Sequence, residues 1–338
     1  MAILCSDIMA TTIAQVDKDI ADNIKNSNPF MRHLKTHNKI KRPEGGKWLE
    51  HTVLCKPNKN GSWYKGAGYL RTGNNDQFKD ARYDWRLYNM NVAITGEDEM
   101  KNKGAQWMQR DLVQEKLEAA KTSAINEVAA AMWDNTLVGD EEHLSLTSIS
   151  EIVSNKELHD DDEYAGILER SWTPLAGIVP DYDNKDPNEN GLFWCNYVAR
   201  TNKTNFLKAM EFMYMALSRN NQKPDIIVCH PKVYFAFEDL MFNNKRFVET
   251  RSTNADPSFP SIAFKTIPVF FDSGCPADTM FMLNTSYLFF QVHADRFFNY
   301  EPKKQAPAQD VTLFPLYFMG NFTCSGRQFQ GRIEVDGI

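Results

Sequence analysis

Residues 47–95 read KWLEHTVLCKPNKNGSWYKGAGYLRTGNNDQFKDARYDWRLYNMNVAIT, and residues 105–133 read AQWMQRDLVQEKLEAAKTSAINEVAAAMW. The first stretch is aromatic-rich and is broken at its middle by turn residues: Pro57-Asn58, Asn60-Gly61, Gly66, Gly68 and Gly73-Asn74-Asn75. Two extended runs, Thr52–Lys56 and Tyr83–Thr95, flank that middle. The second stretch has neither Gly nor Pro. Its apolar positions Met108, Leu112, Leu117, Ala120, Ala124, Val128 and Met132 fall on one helical stripe. At about 1.5 Å per residue the helix spans roughly 40 Å. A hairpin this long cannot bury both faces on its own helix. It must find apolar surface elsewhere, and another copy of the same chain is the simplest source.

The returning run changes phase. Tyr83, Trp85 and Leu87 share one parity, whereas Met90, Val92 and Ile94 share the other, which predicts a bulge or bend near Tyr88-Asn89. Thr95-Gly-Glu-Asp-Glu then reads as a helix entry, with acids where the helix dipole favours them. The helix is expected to falter at Gly104 and to stop at Gly139.

Outward from this stretch, residues 8–24 are expected to form a short helix. Residues 31–42 carry Arg32, His33, Lys35, His37, Lys39, Lys41 and Arg42 with no acid among them. This segment reads either as a basic strap against neighbours or nucleic acid, or as a solvated linker. On the other side, Leu144–Val153 is a short strand or helix. Asp160–Glu163 and Asp181–Gly191 are polar loops. An α/β unit follows over 203–293: a helix Lys203–Arg219, a buried strand Asp225–Cys229, a helix opened by Pro231, and strands Thr266–Phe271, Thr279–Leu283 and Leu288–His293. Val311–Val335 is long and β-prone.

The chain has 338 residues, room for about two domains and a core that needs no staples. A formal net charge of −6 argues against a nucleic-acid reader with a strong electrostatic footprint. The six cysteines are scattered with no CxxC pair, which predicts free thiols in a reducing cytoplasm and no zinc ribbon. Neither a signal peptide nor an apolar run long enough for a membrane span is read.

Reactive motifs are absent. No GxGxxG, Walker A, GxSxG, HExxH or EF-hand loop occurs. His33 and His37 have i, i+4 spacing but lie in a basic segment, a poor setting for a metal ion. Cys229-His230 reads as a thiol nucleophile with its base, or as a core cysteine beside a turn histidine; successive strand residues point to opposite faces, which favours the second. Asp295-Arg296 reads as an ion pair and Glu97-Asp98-Glu99 as a helix start. No catalytic, cofactor-binding or metal-binding residue is assigned, and a large, aromatic-rich chain without a reactive cluster reads as an assembly protein rather than an enzyme.

Several stretches, in order, resemble the major capsid proteins of tailed bacteriophages. They are Gly61-Ser-Trp-Tyr-Lys-Gly with Asp76-Gln-Phe-Lys-Asp-Ala-Arg-Tyr-Asp-Trp-Arg, Val92-Ala-Ile-Thr-Gly-Glu-Asp-Glu-Met-Lys-Asn-Lys-Gly, Gly166-Ile-Leu-Glu-Arg-Ser, Pro224-Asp-Ile-Ile-Val-Cys-His-Pro-Lys-Val-Tyr, Ile267-Pro-Val-Phe-Phe-Asp through Cys275-Pro-Ala-Asp-Thr-Met-Phe-Met-Leu-Asn-Thr-Ser-Tyr-Leu, and Met319-Gly-Asn-Phe-Thr-Cys-Ser-Gly-Arg-Gln-Phe-Gln-Gly. Trp172-Thr-Pro-Leu departs from the pattern, and 181–190 looks like an insertion. The resemblance implies an α+β, Hong Kong 97-type capsid fold: an N-terminal arm (1–46), an extended β-hairpin loop (47–98), a peripheral domain with a long spine helix (99–202), an axial α/β domain (203–293) and C-terminal strands returning to the peripheral domain (294–338). It implies self-assembly as hexamers and pentamers into an icosahedral shell. That shell would enclose double-stranded DNA, with a separate scaffolding protein, a portal and decoration proteins as partners. The location implied is the virion, after synthesis in the bacterial host cytoplasm. Trp63, Tyr64 and Tyr69 in the hairpin and Arg32, Lys35, Lys39 and Lys41 in the arm are the expected assembly contacts. An encapsulin-like compartment shell of the same fold, and an enzyme using Cys229 and His230, are the alternatives.

Overall fold

The computed structural model describes residues 29–56, 58, 60–73, 77–97, 106–133, 144–156, 168–178, 192–219, 221–243, 262–300, 304–305 and 309–337. The helix expected over 8–24, the polar loops 160–163 and 181–191, the breaks at Gly104 and Gly139, and Cys5 lie outside them. The chain divides into two compact units: residues 1–47, 84–148 and 289–322 in the first, and 48–83, 149–288 and 323–338 in the second.

The first unit is a sheet with a long helix on it. Strand β4 (Arg86–Thr95) pairs antiparallel with β13 (Val311–Cys324), in unbroken register from Thr95 opposite Val311 to Arg86 opposite Gly320. Strand β11 (Leu288–Tyr300) lies beside β13, and β1 (Ile40–Lys41) adds in parallel to β11. The two-residue β12 (Lys304–Gln305) completes the sheet. Helix α2 (Gln106–Trp133) buries Leu117, Ala124, Val128 and Met132, members of the apolar stripe read from the sequence. The Tyr300 hydroxyl donates to the Leu117 carbonyl at 3.3 Å. Phe314, Leu316, Phe318 and Phe322 of β13 alternate inward beneath this layer; Phe290 stacks on Phe318, and Phe298 meets it at a tilt.

The expected bulge at Tyr88-Asn89 is corrected. Tyr88, Met90, Val92 and Ile94 all face the same side of a regular strand. The change of phase falls at Asp84-Trp85, between β3 (Phe78–Tyr83) and β4, where the chain leaves one sheet for another. The hairpin strand opposite β2 (Leu49–Leu54) is therefore β3 and not the run that ends at Thr95.

The second unit is built on a seven-stranded mixed sheet and includes the four-residue helix α3 (Ile149–Ile152). Its order is β5 (Leu168–Ser171), β6 (Asn196–Asn202), β14 (Gly331–Asp336), β10 (Thr279–Leu283), β7 (Ile226–Cys229), β9 (Ile267–Phe271) and β8 (Ile262–Phe264). Every residue of β10 and β7 is buried, as continuous apolar runs in a sheet interior demand. Helix α4 (Phe206–Leu217) places Phe206, Met210, Met213 and Leu217 on one stripe. Helix α5 (Pro231–Asn243) adds Val233 and Phe237. Both share one core cluster with Ile227, Val269, Met280, Met282 and Ile333. Gly331 lets α4 lie close on β14, because a Cβ there would meet the Met213 and Leu217 side chains, which would have to shift.

Strands β5, β6 and β14 all lie in the second unit's sheet. β6 pairs in parallel with β14 along its whole length, and β14 pairs antiparallel with β10. These segments are thus held in the second unit's sheet by pairings between residues far apart in sequence, which local pattern does not reveal.

Candidate assembly interface

The β2–β3 hairpin has one face tied down and one free. Leu49, Val53, Ala81 and Tyr83 point inward and are buried. The Tyr83 hydroxyl donates to the Cys324 carbonyl at 3.0 Å and accepts from the Cys324 N–H at 3.2 Å. Burial pushes the Tyr83 phenol well above its ordinary range, which keeps it protonated and able to donate. His51 Nε2 lies 2.8 Å from the Thr323 hydroxyl, and the Arg82 N–H donates to the Ala176 carbonyl at 3.0 Å.

The outward face changes character along its length. Nearest the base, Glu50 and Arg82 are opposite each other and form an ion pair at 3.0 Å. Next, the Thr52 hydroxyl donates to Asp80 at 3.0 Å. The last pair is Leu54 opposite Phe78, 59% and 63% exposed, apolar side chains standing in water. Beyond them the loop presents Trp63 and Tyr69, which have relative exposures of 106% and 99%, with Tyr64 and Leu70 also exposed. The Asn60 side chain closes the loop by donating to the Gly73 carbonyl. Between residues 55 and 73 the sequence has Lys56, Lys65 and Arg71 among its cations and no acid. The tip thus gathers exposed aromatics and charge of one sign on one surface.

The basic segment 31–42 is folded onto the first unit. Helix α1 (Pro29–Thr36) buries Phe30, Met31 and Leu34; the Phe30 ring lies 5.4 Å from that of Trp133 and 6.3 Å from that of Phe322. The chain then forms β1, and the Lys39 carbonyl just before it accepts from the Phe290 N–H at 3.1 Å. Lys41 Nζ lies 3.8 Å above the Phe289 ring and Lys39 Nζ 5.7 Å from it, the geometry of cation–π contact. Arg32 is half-buried and Lys35 exposed. His33 and His37 stack with ring centres 4.1 Å apart. The hairpin tip and the basic segment thus sit in different units.

The Cys229-His230 pair does not form a catalytic couple. Cys229 is fully buried in β7, and its thiol donates to the Phe270 carbonyl at 3.4 Å. Burial raises its pKa far above the ordinary thiol value, so it is held as the neutral thiol. His230 Nδ1 accepts from the Lys232 N–H at 3.3 Å. Among the described residues no group of His, Cys, Asp and Glu gathers as metal ligands would, and no helix is long and apolar enough to cross a membrane.

Two features had no sequence signal. Arg327 is fully buried. Its Nε donates to the Ile152 carbonyl at 2.8 Å, Nη1 to the Thr173 carbonyl at 2.6 Å and Nη2 to Asn196 Oδ1 at 2.9 Å, so one guanidinium joins three segments of the second unit. In the first unit, Leu87, Tyr88, Val128, Leu144, Leu146 and Phe318 are among the residues lining a mostly apolar groove of about 390 Å³ between β4 and α2. The Tyr88 hydroxyl donates to Glu127 at 2.8 Å at its margin, and burial followed by that contact raises the phenol's pKa.

No protein-family model and no curated protein sequence matches the chain. Solved structures do. The cyanophage A-1(L) capsid asymmetric unit aligns over 88% of this chain and 90% of its own, at 16% identity and a TM-score of 0.60. The capsid of a native GTA particle aligns over 89% of each chain, at 12% identity and a TM-score of 0.54. The SrpI encapsulin of Synechococcus elongatus PCC 7942 aligns over 92% of this chain and 88% of its own, at 8% identity and a TM-score of 0.50. The alignment with phage capsid subunits runs over most of the chain: this chain has the Hong Kong 97-type capsid fold.

Proposed function

We propose that this chain is the structural subunit of the capsid of a tailed bacteriophage, assembling as hexamers and pentamers into an icosahedral shell around double-stranded DNA. The observation that carries the reading is the hairpin, tied at its base through Tyr83 and His51 while its tip holds Trp63, Tyr64 and Tyr69 in water. Those side chains are buried only when a second copy covers them. The basic segment, with Arg32, Lys35, Lys39 and Lys41, supplies contacts to neighbouring subunits and to the packaged genome. Assembly proceeds with a separate scaffolding protein, a portal and, where present, decoration proteins. The chain is made in the host cytoplasm and ends in the virion. It is not an enzyme: its one adjacent Cys/His pair holds a buried, neutral thiol.

A compartment shell of the encapsulin kind is the second reading, supported by the likeness to the SrpI encapsulin. Electron microscopy and nuclease protection of particles purified from cells producing the chain with its phage partners separate the two. Closed shells holding nuclease-resistant double-stranded DNA support the capsid reading. Shells holding protein cargo and no DNA support the compartment. A lone monomer or dimer across salt and scaffold conditions overturns both.

A further inference from the structure

We propose that Asn60 is a site of spontaneous modification: it loses ammonia to become aspartate or isoaspartate, and in doing so it unties the hairpin tip. The site and its chemistry stand on the hairpin alone, and the consequence for particles rests on the proposed self-assembly.

The chemistry needs a main-chain nitrogen that can reach the asparagine side chain. Asn60-Gly61 is one of two Asn-Gly pairs in the sequence, and the other, Asn190-Gly191, lies outside the described residues. A glycine after asparagine leaves that nitrogen unshielded and the backbone free to turn, because glycine has no Cβ. Three features of the tip add to this. Gly61 is exposed, and nothing lies within 4 Å of where its Cβ would stand. The Gly61 N–H makes no hydrogen bond among the described residues, so the attack breaks none. Asn60 and Gly61 belong to no helix or strand whose hydrogen bonds would fix them, and loop tips are where such freedom concentrates.

The reaction balances with water alone. The Gly61 nitrogen gives up its proton and attacks Cγ of Asn60. The new N–Cγ bond closes an imide ring, the Cγ–Nδ2 bond breaks, and Nδ2 leaves as ammonia with that proton. Water then opens the ring. Cleavage at N–Cγ restores the peptide and leaves aspartate. Cleavage between the nitrogen and the main-chain carbonyl carbon of Asn60 leaves isoaspartate, whose backbone runs through the former side chain.

The group that leaves is the one that closes the loop. Asn60 Nδ2 donates to the Gly73 carbonyl, and the side chain lies so near Gly73 that a Cβ there would stand 3.2 Å from Asn60 Oδ1. After conversion a carboxylate faces that carbonyl, acceptor against acceptor, and the donor is gone. The product is also the first acid between residues 55 and 73, among Lys56, Lys65 and Arg71. Trp63 and Tyr69 lie between the two residues that this contact joins, so their placement is released with it.

The test begins with the unassembled full chain held at pH 8.5 and 37 °C, sampled over days and digested at acid pH so that digestion itself converts nothing. Peptide mass spectrometry is expected to show the gain of one mass unit at Asn60 before any other described asparagine. Gly61→Ala is expected to slow that gain severalfold; the position is open and outside the left-handed region, so alanine fits without strain. An Asn60 that keeps its amide as long as the other described asparagines, or a rate indifferent to Gly61→Ala, overturns the proposal. The consequence is read on Asn60→Asp, as the threshold concentration for particle formation by light scattering. Losing one hydrogen bond at the tip of every subunit is expected to raise the threshold about tenfold while the unassembled chain melts as the parent does. A threshold equal to the parent's overturns the untying. A parent that forms no particles at all sinks the assembly reading instead, and the mass spectra alone then decide the site.

Discussion

Deleting residues 58–76 and closing the gap with a short turn separates the two roles of the hairpin. The Cys55 N–H already donates to the Gln77 carbonyl at 2.7 Å, so the strand ends lie at turn-closing distance. Everything that ties the base remains: the buried Leu49, Val53 and Ala81, and the hydrogen bonds of Tyr83 and His51. The melting temperature of the unassembled chain should therefore move by no more than about 2 °C. Assembly should suffer heavily. The deletion removes Trp63, Tyr64 and Tyr69, each worth about 1.5–3 kcal/mol when fully buried. Fixing each side chain in an interface costs about 0.5–1.5 kcal/mol. The remainder is on the order of 3–5 kcal/mol per subunit contact, and each 1.4 kcal/mol is a factor of about ten in concentration. The threshold for particle formation should rise a hundredfold or more by light scattering. A variant that unfolds as a monomer, or that forms shells at the parent's threshold, refutes the division into anchored base and binding tip.

Three further outcomes follow from the described contacts. Arg327→Met leaves the Ile152 and Thr173 carbonyls and the Asn196 side chain without their donor, at about 1–3 kcal/mol for each buried group left unpaired, so the variant should lose at least 3 kcal/mol in denaturant melts or fail to fold; a loss below about 1 kcal/mol would show the three bonds to be incidental. Cys229, Cys275 and Cys324 are buried with raised pKa values, Cys324 pushed up to about 12, so among the described cysteines native protein at pH 8 should be labelled first at half-buried Cys55, and melts with and without reductant should coincide; prompt labelling of Cys229, or a clear loss of stability on reduction, contradicts this. Replacing Arg32, Lys35, Lys39 and Lys41 by Gln should impair assembly or DNA packaging with little change in the monomer's melt, since the segment is anchored by Phe30, Met31 and Leu34; unimpaired, DNA-filled particles would remove those cations from the interface.

Legibility followed the range of the interactions. Helix α2 and strands β7, β9 and β10 were readable because their burial is periodic or continuous over a few residues. The hairpin was readable from its turn residues and aromatics, and its exposed tip from the lack of any local cover. The end of the hairpin was not. Residues 83–95 look like one extended run, and only the pairing of Arg86–Thr95 with Val311–Gly320 shows that two strands from two sheets meet at Asp84-Trp85. Arg327 was missed for a related reason, since the groups that satisfy it come from residues 152, 173 and 196. The groove by Tyr88 was hidden by the misplaced bulge, which turned part of β4 onto the wrong face.

The position of β14 has a kinetic consequence. It lies between β6 and β10 in the middle of the seven-stranded sheet, with Gly331 opposite Tyr197. During synthesis β5, β6, β10, β7, β9 and β8 are all made before the strand that joins their two halves. Until residues 331–336 arrive, β6 and β10 each present an unpaired edge and the sheet cannot close. Contacts so distant in sequence form slowly, and the open edges are prone to pair with other chains. A chain truncated before residue 331 therefore lacks the strand that joins the two halves of the sheet, and only a chain made through residue 336 completes the second unit.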